Sequence, residues 1–154
     1  MRRTILFGAS LLALVATACG PKAEEAPPAQ TQVAPPPPPA PPARRMEIVS
    51  PAEGETVPGP NVSVKLAGFG FSVVPAGDTT PNSGHFHVFL DRAVSAAGAP
   101  IPAEAGFIVH MGKGTDTLTI ANVAAGPHTL IGVVGDAKHI PDLTLEDTVH
   151  FVVK

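Results

Sequence analysis

Cysteine is nearly missing from this sequence of 154 residues, which contains only Cys19. No residue after position 19 therefore carries a thiol. This excludes a disulfide, a zinc–thiolate site and a cysteine nucleophile from the remainder of the chain. Any metal site or active site there must be built from other side chains.

Tryptophan and tyrosine are absent, and the aromatic set consists of seven phenylalanines. The usual stacking platforms for sugars and bases are thus missing, which argues against carbohydrate binding. Ten Lys and Arg residues face thirteen Asp and Glu residues, for a formal net charge of −3. Because no basic stripe is present, nucleic-acid binding is also disfavoured.

The N-terminus has the pattern of an export signal. A basic pair at residues 2–3 precedes an apolar run over residues 5–15, which is too short to cross a bilayer comfortably. The small residues 16–18 in front of Cys19 resemble the site at which bacterial lipoproteins are cleaved and acylated. We therefore predict a lipoprotein signal peptide over residues 1–18 and lipidation of Cys19.

A linker and one domain are predicted to follow. Residues 19–45 are rich in proline, including the run Pro35–Pro39, and such a stretch favours extended polyproline II rather than a core. Residues 46–154 have the size of one domain. With Gly20 after Cys19, the expected location is the periplasm, with a lipid anchor in the bacterial, and preferentially the outer, membrane.

The domain alternates polar and apolar residues with a period of two, and no segment has a convincing helical pattern. About seven short strands with turn residues between them predict an all-β fold, an immunoglobulin-like antiparallel β-sandwich. An eight-stranded barrel is the alternative. The expected strands include Val62–Leu66, Phe69–Val73, His85–Asp91, Phe107–Met111, Thr117–Val123, His128–Val134 and Thr148–Val153.

Two histidines lie one residue apart in the segment NSGHFHVFLD, residues 82–91. Because successive strand side chains point to opposite faces, Phe86 and Val88 are predicted to face the core. His85 and His87 then share the other face, with Cα atoms about 6.5 Å apart by strand rise, close enough to bind one ion. A His-X-His strand can supply two nitrogen ligands without bending the backbone.

The remaining histidines divide into two groups. His110 at the end of one expected strand and His139 in a loop are candidate ligands, because sites usually form where strands end. His128 follows a Gly-Pro turn and is predicted to hydrogen-bond a corner of the sandwich, by analogy with the tyrosine corner. His150 alternates with apolar residues on the last strand and is predicted to face solvent.

Four segments in order resemble the periplasmic bacterial family known as domain of unknown function 4399. They are GHFH at 84–87, HMGKGT at 110–115, GPHTL at 126–130 and GDAKHIP at 135–141. The resemblance covers most of the chain from about Met46 onward. It implies an exported β-sandwich whose histidine motifs belong together, and it implies no settled activity.

Three classes of function fit these observations. The first is metal binding by His85, His87, His110 and His139, with Met111 and Asp91 or Asp136 as further possible donors. Imidazole suits copper, zinc and nickel, and the affinity order favours copper before zinc. The second is a copper enzyme, since residues 84–88 are loosely similar to the histidine-rich strand of copper–zinc superoxide dismutases.

The third class is a structural or interaction module of the cell envelope, in which the imidazoles hydrogen-bond loop carbonyls without a metal. The sequence lacks the disulfide and the bridging-histidine region of the dismutases, as well as the common hydrolase and phosphate-loop motifs. An enzyme is therefore disfavoured. The partners expected are a metal ion and, through the lipid, a membrane, while the sequence identifies no protein partner.

Overall fold

The computed structural model describes residues 42–154. The predicted signal peptide, Cys19 and nearly all of the proline-rich linker lie outside the described residues. The first strand begins at Arg45, which is the last residue of the predicted linker. Over residues 42–154, no helix is long and apolar enough to cross a membrane.

Nine β-strands and no helix make up the regular structure of residues 42–154. The strands are β1 (Arg45–Ser50), β2 (Thr56–Val57), β3 (Val62–Phe69), β4 (Ser72–Val73), β5 (Ser83–Leu90), β6 (Ile108–His110), β7 (Thr117–Ile120), β8 (Gly126–Gly135) and β9 (Pro141–Val153). The all-β prediction is therefore confirmed.

The strands form two separate sheets, one of three strands in the order β1-β3-β7 and one of six. The larger sheet has the order β2-β9-β8-β5-β4, and β6 also pairs with β5. This arrangement agrees with the predicted sandwich and not with a closed barrel. The long β8–β9 and β5–β8 ladders are antiparallel, whereas the two-residue strands β2 and β4 pair in parallel with their neighbours.

The main core lies between the two sheets and follows from period-two alternation. In β3, Val62, Val64 and Leu66 are each 1% exposed, while Ser63 and Lys65 between them face solvent. Apolar side chains of the larger sheet complete this core, because burying them removes apolar surface from water. They include Phe86, Val88, Leu90, Leu130, Leu145, Val149, Phe151 and Val153.

Strand β5 is buried on both faces along nearly its whole length. Phe86 and Val88 face the main core as predicted, but Phe89 is also fully buried. It packs in a second apolar cluster with Ile101 and Val133. Ile101 belongs to the long segment between β5 and β6, residues 91–107, which therefore covers the outer face of the larger sheet at this point.

Several element boundaries differ from the sequence-based expectation. The strand expected through Phe69, Phe71 and Val73 is interrupted, because β3 ends at Phe69 and Gly70 adopts a positive φ of 70°. The last strand begins at Pro141 rather than Thr148, with a register shift in its pairing to β8 at Val133/Val134. Strands β1 and β2 were not predicted, since β2 has only two residues and β1 begins within the predicted linker, whereas β4 is the end of the strand expected over Phe69–Val73.

Candidate metal centre

His85 and His87 lie side by side on β5 and face away from the main core. Each is only 1% exposed, and their Nε2 atoms are 3.0 Å apart. The predicted pairing of the two rings on one face is confirmed. Because residues 91–107 cover that face, the rings are buried rather than displayed to solvent.

His110 joins them from the neighbouring strand. The antiparallel register of β5 and β6 places His110 directly opposite His87. Directly opposed residues in an antiparallel pair have Cβ atoms about 4.5–5.5 Å apart, so their side chains are held together by the backbone. The rings of His87 and His110 are stacked, with centroids 4.9 Å apart and planes inclined by 25°.

His139 comes from the short loop between β8 and β9, where the backbone is tightly fixed. The Asp136 carboxylate accepts hydrogen bonds from the backbone N–H groups of Lys138 and Ile140, both at 2.8 Å. The N–H of His139 donates to the carbonyl of Asp136 at 2.9 Å. These bonds hold His139 in the left-handed region at φ 62°, and its Nε2 lies 3.2 Å from Nε2 of His110.

The four imidazoles therefore converge from β5, β6 and the β8–β9 loop, and we call them the histidine quartet: His85, His87, His110 and His139. One nitrogen of each lies within 4.8 Å of the corresponding nitrogen of every other ring. Two ligands at a metal–nitrogen bond of about 2.0–2.1 Å would be separated by about 2.8–3.4 Å, from cis square-planar to tetrahedral geometry. The observed separations of 3.0 and 3.2 Å fall within this range.

Two glycines make room for the quartet. A Cβ atom at Gly135 would lie 2.9 Å from both Cδ2 and Nε2 of His87. A Cβ at Gly112 would lie 2.8 Å from Nε2 of His110. Both distances are shorter than a normal contact between non-bonded atoms. The two rings can therefore occupy these positions only because residues 112 and 135 are glycines. The sequence pattern does not indicate this role, although both glycines lie in the histidine motifs.

Burial and mutual proximity lower the basicity of the quartet. Burial, and then the neighbouring His110 and His139, lowers the pKa of His85 to about 4, against a smaller opposing effect of the Asp136 charge. Burial and the other three imidazoles lower the pKa of His87 to about 3. The pKa of His110 is lowered as well, chiefly by burial and then by His139. The metal-free rings of these three residues are consequently neutral at neutral pH, which is the form that binds metal.

Nδ1 of His87 is buried and has no hydrogen-bond partner. An unsatisfied buried polar atom costs about 1–3 kcal/mol, so the fold retains this imidazole at the expense of stability. Such a cost is typical of residues kept for function. The donor set also fits a metal, because one nitrogen from each of four imidazoles lies within 4.8 Å of the others, and the group contains no carboxylate.

The other donors considered from sequence do not join the quartet. Met111 is buried in the main core. Asp91 instead contacts His128 and the N–H of Thr129. Asp136 lies close by but uses one carboxylate oxygen, Oδ1, to hold the loop. The expectation that a carboxylate or thioether might complete the site is therefore not supported by the geometry.

His128 has the structural contacts expected of a corner residue. Its Nδ1 lies 2.7 Å from Oδ2 of Asp91, and its Nε2 lies 2.9 Å from the carbonyl oxygen of Ala124. Burial lowers its pKa, but these hydrogen bonds and the Asp91 charge outweigh it, and the net pKa is raised. His150 is exposed beside Glu53, as predicted. The motif at 126–130 thus lies at the start of β8, at the end of the strand away from the quartet. The other three motifs supply the four histidines of the site.

Comparison with known proteins identifies the family. The model of Domain of unknown function (DUF4399) matches residues 62–154, which include the whole quartet. The chain belongs to this family. The family resemblance seen in the four histidine motifs is thereby confirmed, and the family description assigns no activity.

Other comparisons add little. No curated protein matches the chain. Among solved structures, an engineered protein from a structural genomics consortium is similar with a TM-score of 0.43 and 16% identity. That likeness covers 75% of this chain and 21% of the engineered one, so this chain spans about a fifth of its length.

Proposed function

We propose that this member of the DUF4399 family binds one divalent transition-metal ion through His85, His87, His110 and His139, with copper preferred over zinc. The observation that carries the proposal is the convergence of four imidazole nitrogens from three separate elements within 4.8 Å. Two imidazole nitrogens about 3 Å apart must share either a proton or a metal ion. Two such pairs meet in one place here.

The chemistry of the donors supports the choice of metal. Calcium and magnesium require oxygen ligands, which the quartet does not supply. Imidazole nitrogen suits copper, zinc and nickel, and affinity for nitrogen sites increases toward Cu(II) and then falls at Zn(II). A site made of nitrogen donors alone therefore favours copper first and zinc second.

A contrast within the protein argues against a purely structural role for the quartet. A structural histidine is expected to hydrogen-bond loop carbonyls or carboxylates, as His128 does with Ala124 and Asp91. Over the described part of the chain, the hydrogen-bonding contacts of the quartet rings are instead to one another. Rings that only face each other are suited to surround an ion.

Calorimetric titration of the tag-free protein with Cu(II) and with Zn(II) tests the proposal. We expect tight binding of one equivalent by the wild type and its loss in a His85→Ala, His87→Ala double variant. A His150→Ala variant is the matched control, because His150 is exposed and lies outside the quartet. Equal and weak binding by wild type and double variant would leave a structural or interaction module as the better reading.

Metal binding should also stabilise the folded state. A ligand that binds only the native protein adds about 2.7 kcal/mol when present at a hundredfold excess over its dissociation constant. Thermal melts with and without the metal therefore give a second readout in the same samples. The double variant should show no such increase in melting temperature.

We further propose that the domain is presented in the periplasm by a lipid on Cys19, with residues 19–45 as a spacer from the membrane. Support comes from the sequence alone, through the short apolar run and the small residues before Cys19. An extended polyproline segment rises about 3.1 Å per residue, which would hold the metal site several nanometres from the lipid. Membrane fractionation of a Cys19→Ala variant tests the anchor.

A further inference from the structure

We infer that the metal bound by the quartet accepts a small inorganic anion as an additional ligand, through a cleft on the outer side of the site. This inference rests on the proposed metal binding. It adds a ligand class and an access route. The observation behind it is that three of the four histidines also line an open cleft.

The cleft has a volume of about 180 Å³ and is lined by His87, Ile101, Pro102, Ala103, His110 and His139. This volume is enough for a few water molecules or a triatomic ion, but not for a large organic substrate. His110 is exposed and His139 is half-buried, whereas His85 and His87 are buried. A metal held by the quartet would therefore be approached from the side of His110 and His139.

The cleft residues outside the quartet offer a ligand no polar side chain. The side chains of Ile101, Pro102 and Ala103 are aliphatic, and proline has no backbone N–H. The N–H of Ile101 already donates to the carbonyl of His139 at 2.8 Å. Direct coordination to the metal would thus provide the main polar interaction of a molecule in this cleft.

Charge determines which small molecule is favoured. Four neutral imidazoles leave both charges of a divalent ion uncompensated, and the quartet includes no carboxylate. The carboxylate of Asp136 affects His85 electrostatically, but its Oδ1 atom is committed to two backbone N–H groups. Uncompensated charge in a partly buried site is costly, and an anion in the cleft would offset it. An anion is therefore preferred over an uncharged ligand of the same size.

Azide titration of the copper-loaded protein tests this inference. We expect azide to change the electron paramagnetic resonance spectrum of bound Cu(II) and to produce a new charge-transfer absorption band. Ala103→Leu and Ala103→Phe should weaken azide binding progressively, by tenfold or more for the larger residue, because they fill the cleft. Both variants should still bind one equivalent of copper, since they leave the four histidines unchanged.

Ala105→Leu is the matched control, because Ala105 lies in the same segment but lines a different cleft with Asp91 and His128. It should bind azide like the wild type. Tight copper binding with spectra that azide leaves unchanged would overturn the anion site and leave the proposed function intact. Failure of copper to bind in calorimetry would overturn both. Equal azide affinity in the wild type and both Ala103 variants would show that anions do not use this cleft.

Discussion

At the scale of single residues, the four rings of the quartet can lie close together because Gly112 and Gly135 have no Cβ atom. Both glycines lie against a histidine ring, but the two rings differ in their freedom to move. His87 is 1% exposed and enclosed, whereas His110 is exposed. The same added methyl group should therefore have different consequences at the two sites.

We predict that Gly112→Ala weakens metal binding with little loss of stability. The new Cβ, 2.8 Å from Nε2 of His110, would push an exposed ring aside and misplace one ligand. Disturbing the support of a metal ligand typically costs about 10–100-fold in affinity. Gly135→Ala should also lower the free energy of unfolding, by about 1–3 kcal/mol, because the buried ring of His87 cannot yield without overpacking.

Calorimetry and denaturant unfolding of the two variants separate these effects. The prediction fails if Gly112→Ala binds copper as tightly as the wild type. It also fails if both variants lose equal stability, because the distinction between a mobile and an enclosed ring would then be wrong.

All four members of the quartet could be selected from the sequence, because histidines near strand ends and on one strand face are readily recognised. The two supporting glycines could not be selected in the same way. The role of Gly135 depends on the pairing of β8 with β5, which is a long-range property, and that of Gly112 depends on how the chain turns back against His110 after β6. The loop-fixing role of Asp136 was equally hidden, since Asp136 was considered only as a ligand.

At the scale of elements, β5 shows what the alternation of side chains along a strand can predict and what it cannot. Alternation correctly assigned Phe86 and Val88 to one face and the two histidines to the other. It could not show that residues 91–107 cover the second face, because that segment has no periodic pattern. Burial of both faces converts two ordinary histidines into groups that resist protonation.

This burial predicts a pH dependence of stability for the metal-free protein. The pKa values of His85 and His87 are lowered to about 4 and about 3, while an unfolded chain titrates near 6.5. Between these values the unfolded state binds more protons than the folded state, so the free energy of unfolding falls as pH falls. The pair has no effect above about pH 7, and its destabilising effect is complete once the pH is below about 3.

Unfolding by urea at pH 7 and at pH 4.5 measures this effect. Each of the two histidines contributes at most about 1.4 kcal/mol per pH unit within the window. The His85→Ala, His87→Ala double variant should lose distinctly less stability than the wild type over the same interval. Parallel losses in the two proteins would mean that the rings are protonated as readily in the folded state as in water.

At the scale of the whole molecule, the larger sheet carries most of the site, and a loop between two of its strands completes it. Strands β5 and β6 fix three ligands through hydrogen-bonded register, and the β8–β9 loop adds the fourth. The all-β class followed from period-two alternation over most of the domain. The count of nine strands did not follow, because β1 and β2 were not predicted and the strand expected over Phe69–Val73 divides between the end of β3 and β4.

The remaining prediction concerns how the whole chain is held in the cell, and it depends on the single thiol at Cys19. If Cys19 is the acylation site, Cys19→Ala should prevent lipid attachment, so that the protein is released from membranes or is left unprocessed at the longer precursor length. In the lipoprotein hypothesis, the lipid on Cys19 is the only proposed anchor, so this one substitution should be enough to abolish membrane attachment. Fractionation of cells, with immunoblotting to compare apparent mass, measures both outcomes. Ala18→Gly keeps a small residue before the cysteine and serves as the control that should stay membrane-bound. A Cys19→Ala protein that remained in the membrane fraction at the mature length would show that the chain is attached by another means, and the proposed periplasmic lipoprotein would have to be abandoned.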